Sequence, residues 1–71
     1  MTTILLVEDN ETLALGLRSN LEFEGYDVLS AGTAADALTL AATHRPDLMI
    51  LDLMLPDSDG FRVLRELRGR E

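Results

Sequence analysis

Apolar residues along the chain alternate between two kinds of spacing. Thr3–Val7 (TILLV) is a short apolar, β-branched run, which predicts a buried strand. The period then lengthens. Leu13, Leu17 and Leu21 recur every fourth residue and predict a helix over residues 11–24, with those leucines on its packed face. Asp9 or Asn10 supplies its cap, and Gly25 its left-handed stop. Residues 26–30 (YDVLS) form a weaker, more polar strand, as expected at a sheet edge. Thr33 opens a second helix, with Asp36 three residues on as a partial capping box. Ala34, Ala37, Leu38 and Ala41 line its packed face, and Pro46 stops it. Residues 47–52 (DLMILD) predict a third strand whose continuous apolar centre fits burial on both faces. Asp59 or Gly60 then opens a third helix carrying Phe61, Leu64 and Leu67.

The order β-α-β-α-β-α implies a parallel sheet with helical crossovers, and right-handed crossovers leave few arrangements. With the first strand central, the helices divide between the two faces and the spatial order is 2-1-3. The carboxyl ends of strands one and three then lie side by side where the order reverses, the position at which open α/β sheets bind ligands.

Composition narrows the chemistry. The chain has 71 residues, enough for one domain at most. It has no cysteine, so disulfides and thiolate metal sites are excluded. Its formal net charge is −7, which argues against this segment gripping nucleic acid and is compatible with a cation. All six basic residues are arginines. No apolar run reaches the length of a membrane span and no signal-peptide pattern opens the chain, so the expectation is a cytoplasmic protein with no membrane contact. Asn10-Glu11-Thr12 matches a glycosylation acceptor, but carries no weight without a secretion signal.

Two acids, Glu8 and Asp9, follow the first strand, and Asp52 ends the third. The topology brings all three to one sheet edge. Clustered carboxylates repel, and a fold that gathers them commonly supplies a cation. With oxygen donors and a single remote histidine, a hard divalent ion fits, and Mg²⁺ takes one or two carboxylates while keeping several waters. A metal beside a carboxylate also suits phosphoryl transfer, with the carboxylate as nucleophile and an aspartyl phosphate as product.

The segments LLVEDN and LDLMLPDSDG, and the spacing between them, resemble the response-regulator receiver domain of two-component signalling. The resemblance implies a flavodoxin-like (CheY-like) doubly wound α/β sheet. It implies that Asp52 is the phosphoacceptor, taking its phosphoryl group from a sensor histidine kinase. Asp9 would bind Mg²⁺ directly, with Glu8 helping, and the backbone carbonyl of Met54 would be a third protein ligand. Pro56 and Gly60 match the residues that shape the following loop. Receivers have five βα units, and this chain matches the first three. The family's hydroxyl residue after strand four and lysine after strand five have no counterpart here. A DNA-binding output domain in the parent protein is a further family expectation, and phosphorylation of this segment alone is expected to be impaired.

Other readings compete. Singly, Asp9 and Asn10 suit helix caps and Asp52 a strand-end turn. A phosphatase of the haloacid dehalogenase type would also use a strand-end aspartate, but wants a second aspartate where Met54 stands and normally places its nucleophile after the first strand. A non-phosphorylated structural or interaction module is the third possibility. Met49 and Met54 suit packing, and His44 a helix C-terminus. Arg62, Arg65, Arg68 and Arg70 suit a solvated face. Strand three, apolar and at an edge, is expected to self-associate with a second copy.

Overall fold

The computed structural model describes residues 1–52, 55–57 and 60–68; within the last stretch, only the side chains of residues 62–66. It contains β1 (Thr3–Val7), α1 (Glu11–Phe23), β2 (Asp27–Ala31), α2 (Ala34–His44), β3 (Leu48–Leu51) and α3 (Gly60–Arg68). The three strands form one sheet in the order β2-β1-β3, and both pairings are parallel.

β1 is the centre in both senses. It pairs on either side, and Ile4, Leu5, Leu6 and Val7 are all buried. Alternation along a strand sends neighbouring side chains to opposite faces. Leu5 and Val7 accordingly pack with Ala31, Ala34, Ala37 and Val63, beneath α2 and α3. Leu6 packs with Val28 and Ala14, beneath α1.

Both complete helix starts are capped from within. The Asn10 side chain accepts from the Leu13 N–H at 3.0 Å, and the Thr33 hydroxyl accepts from the Asp36 N–H at 3.1 Å. Gly25 has φ 97°, where a side chain would be strained. The Gly25 N–H donates to the Glu22 carbonyl and the Tyr26 N–H to the Leu21 carbonyl, the paired bonds of a Schellman stop. α2 ends differently. Arg45 takes the left-handed conformation (φ 48°, ψ 64°) immediately before Pro46, which disfavours a further right-handed residue.

Four expectations change. α1 turns Ala14 toward the sheet beside Leu17 and Leu21, leaving Leu13 50% exposed. An exact four-residue spacing drifts around a helix that closes every 3.6 residues, so a small residue holds the inner line. In α3, Val63 is fully buried and Leu64 is 41% exposed; the Phe61 and Leu67 side chains lie outside the described set, as does Asp59. β3 is covered on one face only, by the cluster that includes Met49 and Leu51, whereas Leu48 is 54% and Ile50 37% exposed. Asp47, expected inside the strand, instead brackets its start. Its carboxylate accepts from the Thr3 N–H at 2.8 Å, and its own N–H donates to the Thr3 carbonyl at 2.8 Å.

Arg62 and Arg65 lie on an exposed face, as expected, and Arg62 stands 3.7 Å from Glu66. Among the described residues, no helix is long and apolar enough to cross a membrane.

The packing makes a contrast that urea denaturation checks. Leu5→Ala empties a fully enclosed site and should cost about 2–5 kcal/mol. Leu13→Ser should stay within about 0.5 kcal/mol, as for an ordinary surface position. Comparable losses in the two variants would restore Leu13 to the packed face of α1.

Candidate functional site

Two backbone bonds set the acidic edge. The Glu8 N–H donates to the Ala31 carbonyl at 3.0 Å, and the Asp52 N–H to the Val7 carbonyl at 2.9 Å. Each carries the parallel ladder one step past the strands. Glu8 and Asp52 are thereby fixed at the carboxyl edge of the sheet, with Asp9 just beyond. One carboxylate oxygen from each of Glu8, Asp9 and Asp52 lies within 4.8 Å of the other two. Glu8 and Asp52 are partly buried and Asp9 is exposed. The Glu8 carboxylate also accepts from the Asn10 N–H at 3.1 Å, which tightens the turn into α1.

An octahedral ion with oxygen ligands at about 2.1 Å spaces them roughly 3.0–4.2 Å apart. The three oxygens need only a small adjustment to meet that spacing. The donors are all hard oxygens, as Mg²⁺ requires. Beside them runs an open groove of about 530 Å³, lined by Glu8, Asp9, Arg18, Ser30, Thr33 and Pro56. Met54, the expected source of a backbone carbonyl ligand, lies outside the described residues. Pro56 is exposed on the groove, and Gly60 is the first residue of α3.

One residue at this edge had no role assigned from the sequence. The Asp57 carboxylate reaches across to α2, where one oxygen accepts from the Ala34 N–H at 2.7 Å and the other from the Ala35 N–H at 3.0 Å. These donors open α2 and have no partner inside the helix. Thr33 caps a different donor, on Asp36, so the two caps act together. The Ala34 and Ala35 N–H bonds hold the Asp57 carboxyl below the ordinary aspartate range; desolvation opposes them, and its own N–H and the Arg62 guanidinium add smaller lowering contributions. No local signal marks Asp57 for this. Its partners lie 22 and 23 positions away, and α2 already has a cap in its own sequence.

Comparison with known proteins agrees with this geometry. The profile of the response regulator receiver domain matches residues 4–71. The transcriptional regulatory protein KdpE of Mycobacterium tuberculosis is 49% identical over 69 residues, covering 97% of this chain and 30% of that protein. The chain thus spans under a third of the length of that curated relative. The non-phosphorylated HemR receiver domain from Leptospira biflexa superposes with a TM-score of 0.94 at 39% identity, covering 100% of this chain and 57% of the other. A response regulator, TrrA, solved in complex with the histidine kinase ThkA, is similar with a TM-score of 0.92 at 32% identity, covering 100% of this chain and 61% of that one.

The Asp57 bridge has a pH signature. A carboxyl whose folded pKa is depressed contributes stability above its unfolded pKa and loses it as pH falls through the folded value. The amide resonances of Ala34 and Ala35 should therefore move together in acid, with a midpoint below that of an ordinary aspartate. Amides that ignore acid, or that titrate at the ordinary value, would mean that the carboxylate does not sit on α2.

Proposed function

The chain belongs to the response regulator receiver domain family, the phosphorylated signalling domains of two-component systems, and from that premise we propose that Asp52 is its phosphoacceptor. The observation that carries this is the convergence of Glu8, Asp9 and Asp52 within 4.8 Å at the carboxyl edge of the sheet. Family membership does not favour the phosphatase reading. The role proposed is that of a signalling domain that becomes modified, rather than an enzyme that turns over a substrate.

Glu8 and Asp9 would hold Mg²⁺ together with Asp52, and the Met54 carbonyl belongs to the same proposal. When bound, the ion offsets negative charge on the phosphoryl oxygens and on the carboxylates that face them. The chain's own groups do the rest. Asp52, held by its N–H on the Val7 carbonyl, presents a carboxylate oxygen to phosphorus. The new O–P bond forms as the P–N bond of a phosphohistidine breaks; the departing nitrogen keeps the electron pair, and because the donor ring carries a proton on its other nitrogen it leaves as neutral imidazole. The open groove leaves room for the donor side chain. A sensor histidine kinase is the partner proposed, consistent with the solved complex of a similar regulator with its kinase. A cytoplasmic location and a DNA-binding output in the parent protein follow the same family logic. Transfer to these 71 residues alone should be slow, because the chain has no lysine to hold the phosphoryl oxygens.

A second reading concerns the chain by itself. Among the described strands β3 lies at an edge, and Leu48 and Ile50 expose an apolar strip beside it. Such an edge pairs readily with another, which supports self-association of two copies along β3.

Two measurements test these readings. Mg²⁺ titration followed by amide shifts should move residues 8–10 and 52, and Asp9→Asn or Asp52→Asn should abolish the response; an unchanged titration in both variants removes the site. For self-association, sedimentation at micromolar concentration should give a dimer, and a compact monomer at all concentrations would dismiss it.

A further inference from the structure

β3 consists of four apolar residues and lies beside β1 with Leu5 opposite Met49 and Val7 opposite Leu51. That register brings Asp52 to the acidic edge. A shift of β3 by one residue turns its side chains to the other face and takes the Asp52 carboxylate with them. In one direction Asp52 itself resists. Sliding β3 toward its own start sets Asp52 opposite Val7, whose row faces the core beneath α2 and α3, and a carboxylate is costly to bury there. The opposite slide meets no such barrier along the strand. Leu48 and Ile50 would replace Met49 and Leu51 against the core, a volume-conserving exchange of the kind that packed interiors tolerate. The Leu51 N–H would take over the Val7 carbonyl from the Asp52 N–H, because a ladder bond asks only for a backbone donor. The resistance lies at the start of the strand. Asp47 donates its N–H to the Thr3 carbonyl at 2.8 Å, and its carboxylate accepts from the Thr3 N–H at 2.8 Å. In the shifted register Pro46 would stand opposite Thr3. Proline has neither an N–H to give nor a side-chain acceptor, so both bonds would be lost.

We propose that Asp47 is a positioning residue for Asp52. It stands at the other end of β3, about 16 Å away along an extended strand, and acts through the strand alone. Its carboxylate, joined to Thr3 of the central strand, selects the register that keeps an oxygen of Asp52 within 4.8 Å of one from each of Glu8 and Asp9. The link is continuous, since Leu48–Leu51 join the two aspartates and each of the four residues is paired with β1. This inference rests on the reading of Asp52 as phosphoacceptor and cation ligand, and extends it to a residue with neither role. Two properties suit Asp47 to the task. Its bond to Thr3 is charge-assisted and therefore stronger than a neutral one. It also belongs to one side chain, with Pro46 before it and Leu48 after it unable to make it, whereas the backbone bonds of the ladder are open to any residue that arrives.

Two readings on the same chain test this. Nuclear Overhauser effects between β1 and β3 give the register, and magnesium chloride titration followed by amide shifts of residues 8–10 and 52 gives the state of the acidic edge. Asp47→Ala should move the balance of registers roughly tenfold toward the shifted one, the factor carried by a charge-assisted bond at the weak end of its range. A second set of β3 resonances should appear, with Leu5 opposite Leu48, and the apparent Mg²⁺ affinity should fall with the fraction of chains displaced. Asp47→Asn keeps an acceptor oxygen without the charge and should shift the balance less. Two control variants separate positioning from simpler effects. Asp27→Asn removes a negative charge from the same end of the sheet, at the start of β2, and should leave the register as it is. Val28→Ala weakens the core beneath α1, and should lower stability in urea without changing the register. Asp47→Ala with only the parent's register overturns the proposal, as does a shifted register with the parent's affinity or an equal shift in either control. If Asp47→Ala does not fold, Asp47→Asn decides, and an unchanged register there overturns it. A parent chain that gives no Mg²⁺ response fails differently, because it refutes the cation site while the register of Asp47→Ala still reports on Asp47.

Discussion

The register of β3 against β1 is the constraint on which the acidic edge depends. A slip by one residue would turn Met49 and Leu51 out of the core and carry the Asp52 side chain to the opposite face. Hydrophobic alternation cannot prevent such a slip, because Leu48, Met49, Ile50 and Leu51 are all apolar. Polar groups at the two ends can. At the lower end, Asp47 exchanges bonds with Thr3 through both its carboxylate and its N–H. At the upper end, the Asp52 N–H closes on the Val7 carbonyl. An apolar strand is thus indexed by the two aspartates that flank it.

Packing on the α2 side brings a second element to that edge. α2 meets the sheet through Ala34 and Ala37, both fully buried. Small side chains let a helix lie close to the strands beneath it. Its first turn therefore comes within reach of the loop that follows β3, and the free N–H groups of Ala34 and Ala35 find the Asp57 carboxylate. The alanine-rich face looks like weak core material by volume. Its consequence is geometric, since a bulkier face would lift the helix start away from the site. α1, on the other face, packs through Ala14 in the same manner and covers β1 and β2, leaving Leu48 and Ile50 of β3 exposed.

The parts of this arrangement that follow from period and order were legible in the sequence. Thr3–Val7, the Asn10 and Thr33 caps, the Gly25 stop and the 2-1-3 order all depend on local chemistry or on crossover handedness. The meeting of Glu8, Asp9 and Asp52 needed nothing more, because strand ends in a parallel sheet are neighbours by construction. What stayed hidden was set by contacts between distant segments. Ala14 rather than Leu13 faces the sheet because the strands leave room for a methyl group there. Arg45 turns left-handed because α2 must stop before Pro46 and return the chain to the lower edge of β3. Asp57 gains its partners only once α2 has docked.

The edge therefore holds two kinds of carboxylate, and the difference bears on which can react. Asp57 has a dedicated donor on each oxygen, with the helix dipole behind them. Its charge is stabilised in place, and using an oxygen as a nucleophile would first require breaking a strong bond and uncapping α2. Glu8, Asp9 and Asp52 are gathered instead with oxygens close enough to repel, an arrangement that an added cation stabilises. Glu8 is partly committed to the Asn10 N–H, and Asp9 is exposed at the start of a turn. Asp52 is the acid whose backbone is locked to the central strand and whose side chain is half-buried beside the groove. Held in that way, it suits the proposed role of presenting an oxygen to phosphorus, while a cation held with its neighbours would offset the negative charge of the phosphoryl group. The aspartate that caps a helix and the aspartate proposed as phosphoacceptor lie five positions apart in the sequence.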